Sequence, residues 1–579
     1  MKKMEQFKVV SLEYGRIERN GFEVEESLLE AEANGELIGV ADNEVMRQAR
    51  KISGRGEIGG RLEELRAERK RLVRQVNSEA NRVAIAGVNN AIREMLYVPE
   101  IISVTSKDRR DYGRLCKRGF KFNGREYRRL MCSPAMARTN RAIFCAEEIY
   151  EGLDEALRCG CKSVEIVPAK WNAYYGLTSS AAYVVSRPRV CVVADYEIEM
   201  EKEIDWVSDG EHEDSVERCR RGCKFNIWDG MGLISPLMAR KWSEEIGYDG
   251  VAESFIVRAP FIKGLLATFD FHRFAREVAH CEIIKDIYGK EYCCDDVDVI
   301  LTESQFKLWK GYDSIESHQE YMDRYGLNWG VTRVGGPDGK KVMRTNYQFL
   351  QVLDMADEDI EEVCRPTVEW LRGVSGGSWE DKVLYLLGKV AKKESVADIW
   401  DSVQDPAIKA LMLEPDLVND TYLSDKVSRS IEKKVKQSYI GKLLVDGGFN
   451  FIYCDPYGLA EYCFGMEPKG LLGEYEYYAD FWSRKGTKEV IGMRSPLTWR
   501  AEVNRMKLKW SEEMQDWYRY IPNGVILNMW GNDRDIFSGA DFDGDILATT
   551  DNEVFLRCRY GGVPVLYESQ KAKKEFIEK

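Results

Sequence analysis

The stretch FSGADFDGDILATTDN, residues 537–552, places three aspartates around one glycine near the end of the chain. Asp541, Asp543 and Asp545 surround Gly544, and the run ILAT that follows is typical of a β-strand leaving a turn. Ionised carboxylates this close repel one another unless a cation lies between them. The stretch therefore predicts a rigid hairpin that aims three carboxylates at one metal ion.

The spacing of the aspartates excludes an EF-hand calcium loop. Such a loop needs Gly at its sixth position and Glu at its twelfth, and counting from Asp541 these positions hold Ile546 and Asn552. A turn rich in Asp and Gly is the structural alternative. An all-oxygen site suits Mg²⁺, and with a second ion delivered by a nucleotide it would support phosphoryl or nucleotidyl transfer. Without metal, at least one of the carboxyl groups should have a raised pKa.

Bulk composition describes an ordinary globular chain. Its 579 residues, 44% of them hydrophobic, suffice for several cores, and the length favours roughly three to five domains. No run of about 18 apolar residues and no signal segment occurs in the sequence, so we expect a cytoplasmic protein. The 15 cysteines lack repeated CxxC spacing and are expected to be reduced thiols, and 4 histidines argue against a histidine-built metal site.

The charge distribution leaves nucleic-acid binding open. The formal net charge of −13 argues against it, because phosphate binding relies on Lys and Arg. Residues 107–141, however, carry twelve Lys or Arg against three Asp or Glu, with Tyr and Phe interleaved. This segment is either a nucleic-acid surface, in which Arg138 and Arg141 would contact template or product backbone, or a solvated face paired with acidic regions elsewhere.

Alternating helical and strand patterns predict a mixed α and β fold in five parts. These are an N-terminal, largely helical and basic region (1–130), a mixed α/β region (131–221), a β-rich barrel (222–355), a helical connector (356–440) and a second β-rich barrel that contains the aspartate loop (441–579). The order of the last three parts indicates two related barrels separated by a connector. SRPRVCVVADYE (186–197) predicts a short buried strand, and GGPDGKKV (335–342) predicts a hairpin turn, because it lacks the spacing of a phosphate-binding loop.

Several motifs, in the same order along the chain, resemble those of two-barrel RNA polymerases. ADFDGD resembles the metal-binding signature shared by the largest subunit of cellular RNA polymerases, single-chain phage RNA polymerases and the RNA-dependent polymerases of eukaryotic RNA silencing, and MRSPLTWRAEV (493–503) resembles their Arg-x-Pro segment. VRAPFIKGLLATFDF and ILTESQFKLW resemble the two lysine-bearing segments of the partner barrel. WDGMGLISP (228–236) resembles the entry into that barrel and RTNYQFLQVL (344–353) its exit, so the resemblance covers roughly residues 130–570.

The resemblance implies two double-psi β-barrels with an active site between them. The second barrel would contribute the three aspartates as ligands of the catalytic Mg²⁺, and a second Mg²⁺ would arrive with the NTP. The first barrel would contribute Lys263 and Lys307, whose ammonium groups would reach toward the phosphates. Arg494 would lie near the incoming nucleotide or the RNA end and sense the ribose 2′-hydroxyl. Either lysine in isolation would be interpreted as a solvated side chain.

Two features depart from the family pattern. Gly539 stands where the cellular enzymes carry Asn, which puts the discrimination between ribo- and deoxyribonucleotides in doubt. The sequence continues for only 34 residues after Asp545, so we expect a chain that is compact, truncated or completed by another chain. KAKKEFIEK (571–579) is interpreted as a basic helix, and the Asp229 and Gly230 pair as a barrel turn rather than a catalytic element.

We therefore expect a template-directed RNA polymerase, a nucleotidyltransferase that makes RNA from NTPs. The residues of the motifs resemble those of the phage enzymes, which favours a DNA template. A phage enzyme would act in the cytoplasm of a bacterial host. An RNA template, as in the silencing enzymes, is the alternative, because the chemistry at the growing end is identical. Two other classes remain. A nucleic-acid-binding protein with a degenerate barrel pair is disfavoured because all the predicted aspartates and lysines are present, and a metal-binding structural protein would need neither the basic segment nor the lysines.

Overall fold

The structure is a computed structural model that describes residues 1–56, 58–75, 78–208, 215–336, 342–388, 403, 405–531, 533–567 and 575–577. Four parts follow one another along the chain: an N-terminal sheet covered by helices, a second sheet, a helical connector and a closed barrel. Among the described residues, no helix is both long enough and apolar enough to cross a membrane.

The N-terminal part contains seven strands and eight helices. Its strands are β1 (Gln6–Glu13), β2 (Glu23–Val24), β3 (Leu37–Ala41), β4 (Tyr97–Thr105), β5 (Phe120–Phe122), β6 (Arg125–Met131) and β7 (Arg141–Ala146). Its helices are α1 (Tyr14–Arg19), α2 (Leu28–Ala33), α3 (Glu44–Ile52), α4 (Gly59–Val73), α5 (Glu79–Leu96), α6 (Arg109–Arg118), α7 (Pro134–Ala137) and α8 (Glu147–Arg158). The strands form one sheet in the order β2-β5-β6-β7-β4-β1-β3.

This sheet corrects the expectation of a largely helical N-terminal region. The helical part of the expectation is confirmed by the stretch that holds α2 to α5, and side-chain caps from Ser27, Asn43 and Ser78 start α2, α3 and α5. The parallel pairing of β1 with β4, however, joins strands on either side of this helical stretch. Because β6 crosses residue 130 and pairs with β7, the sheet also continues past the expected domain boundary.

The second part carries the lysine-bearing segments. Its strands are β8 (Val164–Ile166), β9 (Tyr183–Val185), β10 (Val190–Val193), β11 (Glu197–Ser208), β12 (Ser215–Asn226), β13 (Met231–Ile234), β14 (Ser254–Ala259), β15 (Ile262–Thr268), β16 (Ile283–Lys285), β17 (Glu291–Cys293), β18 (Val299–Thr302), β19 (Trp329–Gly335) and β20 (Val342–Arg344). Its helices are α9 (Pro168–Tyr175), α10 (Pro236–Ile246), α11 (Phe271–Phe274) and α12 (Ile315–Tyr325). Seven of the strands form a sheet in the order β10-β18-β13-β15-β14-β19-β9, and β11 pairs with β12 in a long antiparallel hairpin.

Two sequence predictions fall in this part. The buried strand predicted within residues 186–197 is confirmed, since every residue of β10 is buried. Residues 337–341 of the predicted hairpin turn GGPDGKKV lie outside the described residues. The expected boundary between residues 221 and 222 falls inside β12. The strands β9 and β10 precede this boundary, yet they belong to the same sheet as Lys263.

Helices dominate the predicted connector. Among its described residues they are α14 (Asp357–Gly376), α15 (Trp379–Leu386), α16 (Pro406–Leu413) and α17 (Thr421–Ser438), whereas α13 (Tyr347–Gln351) lies before the expected boundary at residue 356. Capping by Ser378 at α15 and by Asp420 at α17 satisfies backbone N–H groups at the helix starts. The connector leads into the second β-rich part.

The last part contains a closed six-stranded barrel. The strands here are β21 (Leu444–Asp446), β22 (Gly448–Cys454), β23 (Glu476–Tyr478), β24 (Glu489–Met493), β25 (Val503–Leu508), β26 (Val525–Leu527), β27 (Ile546–Thr550), β28 (Val565–Tyr567) and β29 (Glu575–Ile577). The helices are α18 (Pro456–Cys463), α19 (Asp480–Arg484), α20 (Glu512–Trp517), α21 (Asp533–Ile536) and α22 (Glu553–Arg557). The barrel closes in the order β22-β26-β23-β25-β24-β27. The basic helix expected over residues 571–579 is wrong at its described residues, because β29 pairs antiparallel with β8.

The second sheet and the barrel share one strand topology. In the sheet, β10 is parallel to β18, β18 antiparallel to β13, β13 parallel to β15, β15 antiparallel to β14, and β14 antiparallel to β19. The barrel strands β22, β26, β23, β25, β24 and β27 repeat these relations in the same chain order, and the antiparallel pairing of β27 with β22 closes the ring. In the sheet, β19 instead pairs with β9. The two parts are therefore related in topology, as the order of the sequence patterns indicated.

The two related parts also share a core. One cluster of buried side chains includes Leu233 and Leu265 of the sheet together with Ile452 and Ile526 of the barrel. Polar contacts add to it. Ser254 Oγ lies 2.7 Å from Tyr453 Oη, and Glu253 Oε1 accepts hydrogen bonds from the backbone and side chain of Asn523. This shared packing fixes the distance between the lysine-bearing strands and the aspartate loop.

Candidate active site

The aspartate loop connects α21 to β27 and presents three half-buried carboxylates. One oxygen from each of Asp541, Asp543 and Asp545 lies within 4.8 Å of the others, and the Asp541 N–H donates to Asp545 Oδ2 at 3.1 Å. Gly544 has a φ of 123°, and a Cβ there would lie 2.5 Å from Ile256 Cδ1. The positive φ favours a glycine at this position, and the loop backbone lies against the Ile256 side chain of β14 in the neighbouring sheet.

Arg494 lies against the aspartate loop because two barrel strands run side by side. β24 ends at Met493, which pairs with Ala548 of β27, so the residue after β24 lies beside the loop that precedes β27. Arg494 Nη2 lies 2.8 Å from Asp545 Oδ2, and its Nη1 donates to the Ser538 carbonyl at 3.2 Å. The structure thus places the predicted Arg494 in the same cluster as the aspartates.

Lys263 reaches the cluster from the other part of the molecule. It lies near the start of β15, and its Nζ is 2.5 Å from Asp543 Oδ2. The exposed fraction of the two side chains is 31% and 20%, so the ion pair is partly shielded from water. A cation of the sheet and a carboxylate of the barrel therefore meet across the boundary between the two parts.

Lys307, the other predicted lysine, is half-buried like Lys263. Its backbone N–H donates to the Phe261 carbonyl, which holds it beside the turn that precedes Lys263. Burial lowers the pKa of the Lys307 ammonium, the charge of Asp229 opposes this shift, and the charge of Lys263 adds to it. Within the described residues Lys307 forms no ion pair. Its positive charge acts on the nearby carboxylates of the site, but no single carboxylate neutralises it.

Asp229 belongs to the site, although its sequence was interpreted as a barrel turn. The Phe542 N–H donates to the Asp229 carbonyl at 3.0 Å, and Arg534 Nη1 lies 3.4 Å from Asp229 Oδ2. The next residue, Gly230, has a φ of 82°, and a Cβ there would lie 2.8 Å from Asp543 Cβ. The turn does exist, but it packs directly on the aspartate loop and adds a fourth carboxylate beside it. Gly230, the glycine after Asp229, was the sequence signal that could have indicated this close approach to the aspartate loop.

Arg258 is a second residue that sequence reasoning missed. It lies opposite Lys263 in the register of the β14–β15 hairpin. Burial lowers the pKa of its guanidinium, and the charge of Asp543 opposes that shift. Its Nη1 donates to the Val257 carbonyl at 2.7 Å, and among the described residues its Nε has no hydrogen-bond partner. The hairpin therefore turns two cations toward Asp543.

The electrostatics of the cluster match the crowding expected from the sequence. The pKa of Asp541 is raised to about 6, first by burial and then by the charges of Asp543, Asp545 and Asp229, whereas Lys263 opposes the shift. At neutral pH the ionised aspartates are thus held together at an energetic cost. All the donors are carboxylate oxygens, which fits a hard divalent cation such as Mg²⁺.

Arg138 and Arg141 lie apart from this cluster, on the N-terminal sheet. Arg138 follows α7 and Arg141 begins β7, and both side chains are exposed. The intervening Asn140 accepts a hydrogen bond from the Ser106 N–H and donates to the Lys107 carbonyl, so this turn adjoins the start of α6. Among the described contacts neither arginine has an acidic partner.

Comparison with known proteins identifies the family. A family model described as RNA dependent RNA polymerase matches residues 62–574, which include the aspartates, both lysines and Arg494. The chain belongs to the RNA-dependent RNA polymerase family. The match covers the lysine-bearing segments of the second sheet as well as the arginine and aspartate motifs of the barrel.

One related sequence and one solved structure of similar fold can be compared with most of this chain. DNA-directed RNA polymerase YonO of Bacillus phage SPbeta is 28% identical over 479 residues, which are 79% of this chain and 53% of the phage protein. RNA dependent RNA polymerase QDE-1 from Thielavia terrestris is similar in structure, with a TM-score of 0.53 and 15% identity over 80% of this chain and 50% of that one. The chain thus spans about half the length of both relatives.

Proposed function

We propose that this chain is a template-directed RNA polymerase that adds NTPs to the 3′ end of RNA. One observation carries the proposal: the three-carboxylate loop of the barrel lies in direct contact with Lys263 of the topologically related sheet. A site that binds a nucleoside triphosphate with its metal needs carboxylates for the ion and cations for the phosphates. The site joins both sets across the boundary between two parts that pack on one core.

We further propose that the two related parts are double-psi β-barrels, the first of them opened by the pairing of β19 with β9. The shared set of five strand pairings supports this proposal. It also explains why the site forms between the two parts, since each contributes one wall.

Asp541, Asp543 and Asp545 would hold a Mg²⁺ ion, and a second ion would enter with the NTP. When bound, the metal activates the RNA 3′-hydroxyl and stabilises charge on the α-phosphate. The carboxylates orient the ligand oxygens, and the Asp541 N–H fixes Asp545 in place. Lys263 would exchange its contact with Asp543 for the substrate phosphates, where Lys307 adds a second positive charge.

Arg494 would position the sugar of the nucleotide or of the RNA end. Its guanidinium is held between Asp545 and the Ser538 carbonyl, so it is oriented before substrate arrives. Gly539 follows Ser538 and a Cβ there would meet no atom within 4 Å, so the space beside the loop is open. Ribose selection would then depend on Arg494 without a neighbouring amide.

The nucleic acid would also be held by the basic surface at the start of α6. Lys107, Arg109 and Arg110 are exposed there next to the turn with Arg138 and Arg141, and none of these five side chains forms an ion pair among the described residues. In the middle of the basic segment, by contrast, Lys121, Arg125 and Arg128 pair with glutamates. The five unpaired side chains at its two ends would bind phosphates.

DNA is the proposed template, because the relative with 28% identity is a DNA-directed enzyme. RNA is the second candidate, favoured by the description of the family and by the fold of QDE-1. A cytoplasmic location and completion by another chain stay predictions.

The template is tested by primer extension. Purified protein is given one RNA primer annealed to either a DNA or an RNA template of the same sequence, with NTPs or dNTPs and Mg²⁺. We expect extension with NTPs that is faster on the DNA template, and extension by Asp543→Asn that is slower by at least about 10³-fold. Faster extension on RNA would reverse the template assignment, and equal rates would remove the preference for DNA. No extension on either template would remove the polymerase proposal.

A further inference from the structure

Two exposed aromatic rings, Trp499 and Tyr560, flank Arg500 beside the active site. Trp499 and Arg500 lie in the loop between β24 and β25 (residues 494–502), which begins at Arg494. Trp499 is 41% exposed and Tyr560 is 52% exposed. The guanidinium carbon of Arg500 lies 5.9 Å from the centre of the Trp499 ring and 4.3 Å from that of Tyr560. Both distances fall within the range of a cation–π contact. The three side chains therefore form a cluster of flat surfaces that is open to solvent.

The backbone that carries this cluster is held in place by its own contacts. Glu502, a buried side chain, accepts hydrogen bonds from the N–H groups of Thr498 at 2.6 Å and Trp499 at 3.2 Å. Leu497 is buried in the core. On the other side, Arg559 Nε donates to the Val503 carbonyl at 2.8 Å, which holds the segment with Tyr560 against the same loop. The flat surfaces are therefore preformed rather than assembled when a ligand binds.

The cluster of Trp499, Arg500 and Tyr560 lies close to the active site, because its loop begins at Arg494. The loop begins at Arg494, whose guanidinium contacts Asp545, and the Ser538 hydroxyl donates to the Pro496 carbonyl at 2.8 Å. Trp499 is five residues after Arg494, so their Cα atoms are separated by at most about 17 Å. Stacked nucleotides advance about 3.4 Å each. A strand that starts at the aspartates would therefore reach the cluster within about five nucleotides.

We propose that Trp499, Arg500 and Tyr560 form a stacking site for a base of the nucleic acid a few nucleotides from the reacting 3′ end. Aromatic rings and guanidinium planes stack on any base because every base has a flat π face, and the arginine adds positive charge that favours a phosphate-bearing ligand. This inference deepens the proposed polymerase function and rests on it. The stack would hold template or product in register with the aspartates during nucleotide addition.

The test measures binding without synthesis. A fluorescently labelled single-stranded 12-mer, as DNA and as RNA, is titrated with the intact chain in the absence of NTPs and followed by anisotropy. We expect Trp499→Ala and Tyr560→Ala each to weaken binding about 5- to 100-fold, the range for losing one base stack. Trp499→Phe, which keeps an aromatic face, should remain within about threefold of wild type. Trp510→Ala is the matched control, because Trp510 is 50% exposed and follows β25 in the same barrel.

A second measurement separates stacking from a folding defect. The oligonucleotide is replaced by a series in which one base at a time is removed to leave an abasic sugar. Wild type should lose affinity at one or two adjacent positions, whereas Trp499→Ala should be insensitive at those positions because the base has no ring to stack on. Unchanged binding by both alanine variants, or equal abasic sensitivity in wild type and variant, would overturn the stacking site. Such a result would leave the exposed rings as a surface for a protein partner.

The outcome is distinguishable from failure of the polymerase proposal. If wild type extends primers but the alanine variants bind as tightly as wild type, the stacking site fails alone. If wild type does not extend primers, yet the alanine variants bind more weakly and are insensitive at the abasic positions where wild type loses affinity, the base-binding site stands and the polymerase function fails.

Discussion

Lys263 Nζ lies 2.5 Å from Asp543 Oδ2, so a lysine of the second sheet neutralises a metal-ligand candidate of the barrel. The two residues are 280 positions apart in the chain. Their contact depends on the shared core of the two parts rather than on any local pattern. In this arrangement Lys263 binds the carboxylate that a metal ion would use as a ligand. A metal ion therefore competes with Lys263 for Asp543, and the substrate phosphates compete with Asp543 for Lys263.

Replacing Lys263 should separate metal binding from synthesis. In Lys263→Gln the competing ammonium is absent, so Mg²⁺ should bind the resting chain more tightly, while nucleotide addition should slow by about 10²- to 10³-fold because a charge on the phosphates is lost. Isothermal titration with Mg²⁺ and single-nucleotide addition measure the two effects. Lys310→Gln, at an exposed lysine nearby, should change neither. Weaker Mg²⁺ binding in Lys263→Gln would contradict the competition.

Lys307 should set an alkaline limit on the rate. Burial is the main cause of its lowered pKa, so its positive charge is lost at a lower pH than that of an ordinary lysine. Raising the pH should therefore slow nucleotide addition before solvent-exposed lysines titrate. Lys307→Arg keeps its charge at all working pH values and should remove this alkaline limb, even if its rate at neutral pH is lower. Rates measured from neutral to strongly alkaline pH test the profile, and an identical limb in both proteins would exclude Lys307 as its source.

Metal binding should release a proton near pH 6. Asp541 has a pKa of about 6, so below that pH the carboxyl is protonated and an ion must displace the proton. The affinity for Mg²⁺ should fall by up to about tenfold per pH unit below 6 and be flat well above it. Calorimetry in two buffers of different ionisation enthalpy counts the protons. Proton release that is zero near pH 6, or equal near pH 6 and pH 8, would show that Asp541 is not crowded in this way.

Glu253 should make the chain less stable as the pH rises. It is buried between the two parts, where its Oε1 accepts two hydrogen bonds from Asn523, and burial raises its pKa to about 7 from an ordinary 4.5. Between those values the folded chain holds a proton that the unfolded chain has released, so stability is lost as the pH climbs from about 4.5 through about 7. Above pH 7 the folded state carries a buried charge.

Glu253→Gln removes that charge and keeps the acceptor oxygen. The variant should be more stable than wild type at pH 8, on the order of 1–3 kcal/mol, and should show little gain near pH 5. Thermal melts at both pH values measure this, with the exposed Glu244→Gln of α10 as the control. A gain of the same size at both values would mean that titration of Glu253 is not the cause.

Sequence patterns predicted the parts of the fold that local rules govern. Hydrophobic runs bounded by Gly, Pro and Asp predicted the buried strand β10 and the two β-rich parts, and helical periodicity predicted the connector. The N-terminal sheet escaped because its strands are short or lie far apart in sequence. β2 has only two residues, and β1 pairs with β4 beyond five intervening helices. Such non-local pairings leave no periodic signal in a single segment.

The site shows the same division. The aspartate motif, Lys263, Lys307 and Arg494 were predicted from motifs, and the structure gathers them in one place. Asp229 was not assigned to the site, because its backbone contact with Phe542 joins residues more than 300 positions apart and is set only by the packing of the two parts. Arg258 was missed because its position opposite Lys263 depends on the register of a hairpin.

The most direct test of the account is a single-nucleotide addition measured with Asp543→Asn. Wild type should add the complementary NTP to an RNA primer on a preformed primer–template, and the variant should bind the same scaffold yet react at least about 10³-fold more slowly. Asp551→Asn, at a carboxylate that pairs with Lys485 outside the cluster, should react like wild type. Addition by Asp543→Asn at the wild-type rate would contradict the claim that this cluster carries the chemistry.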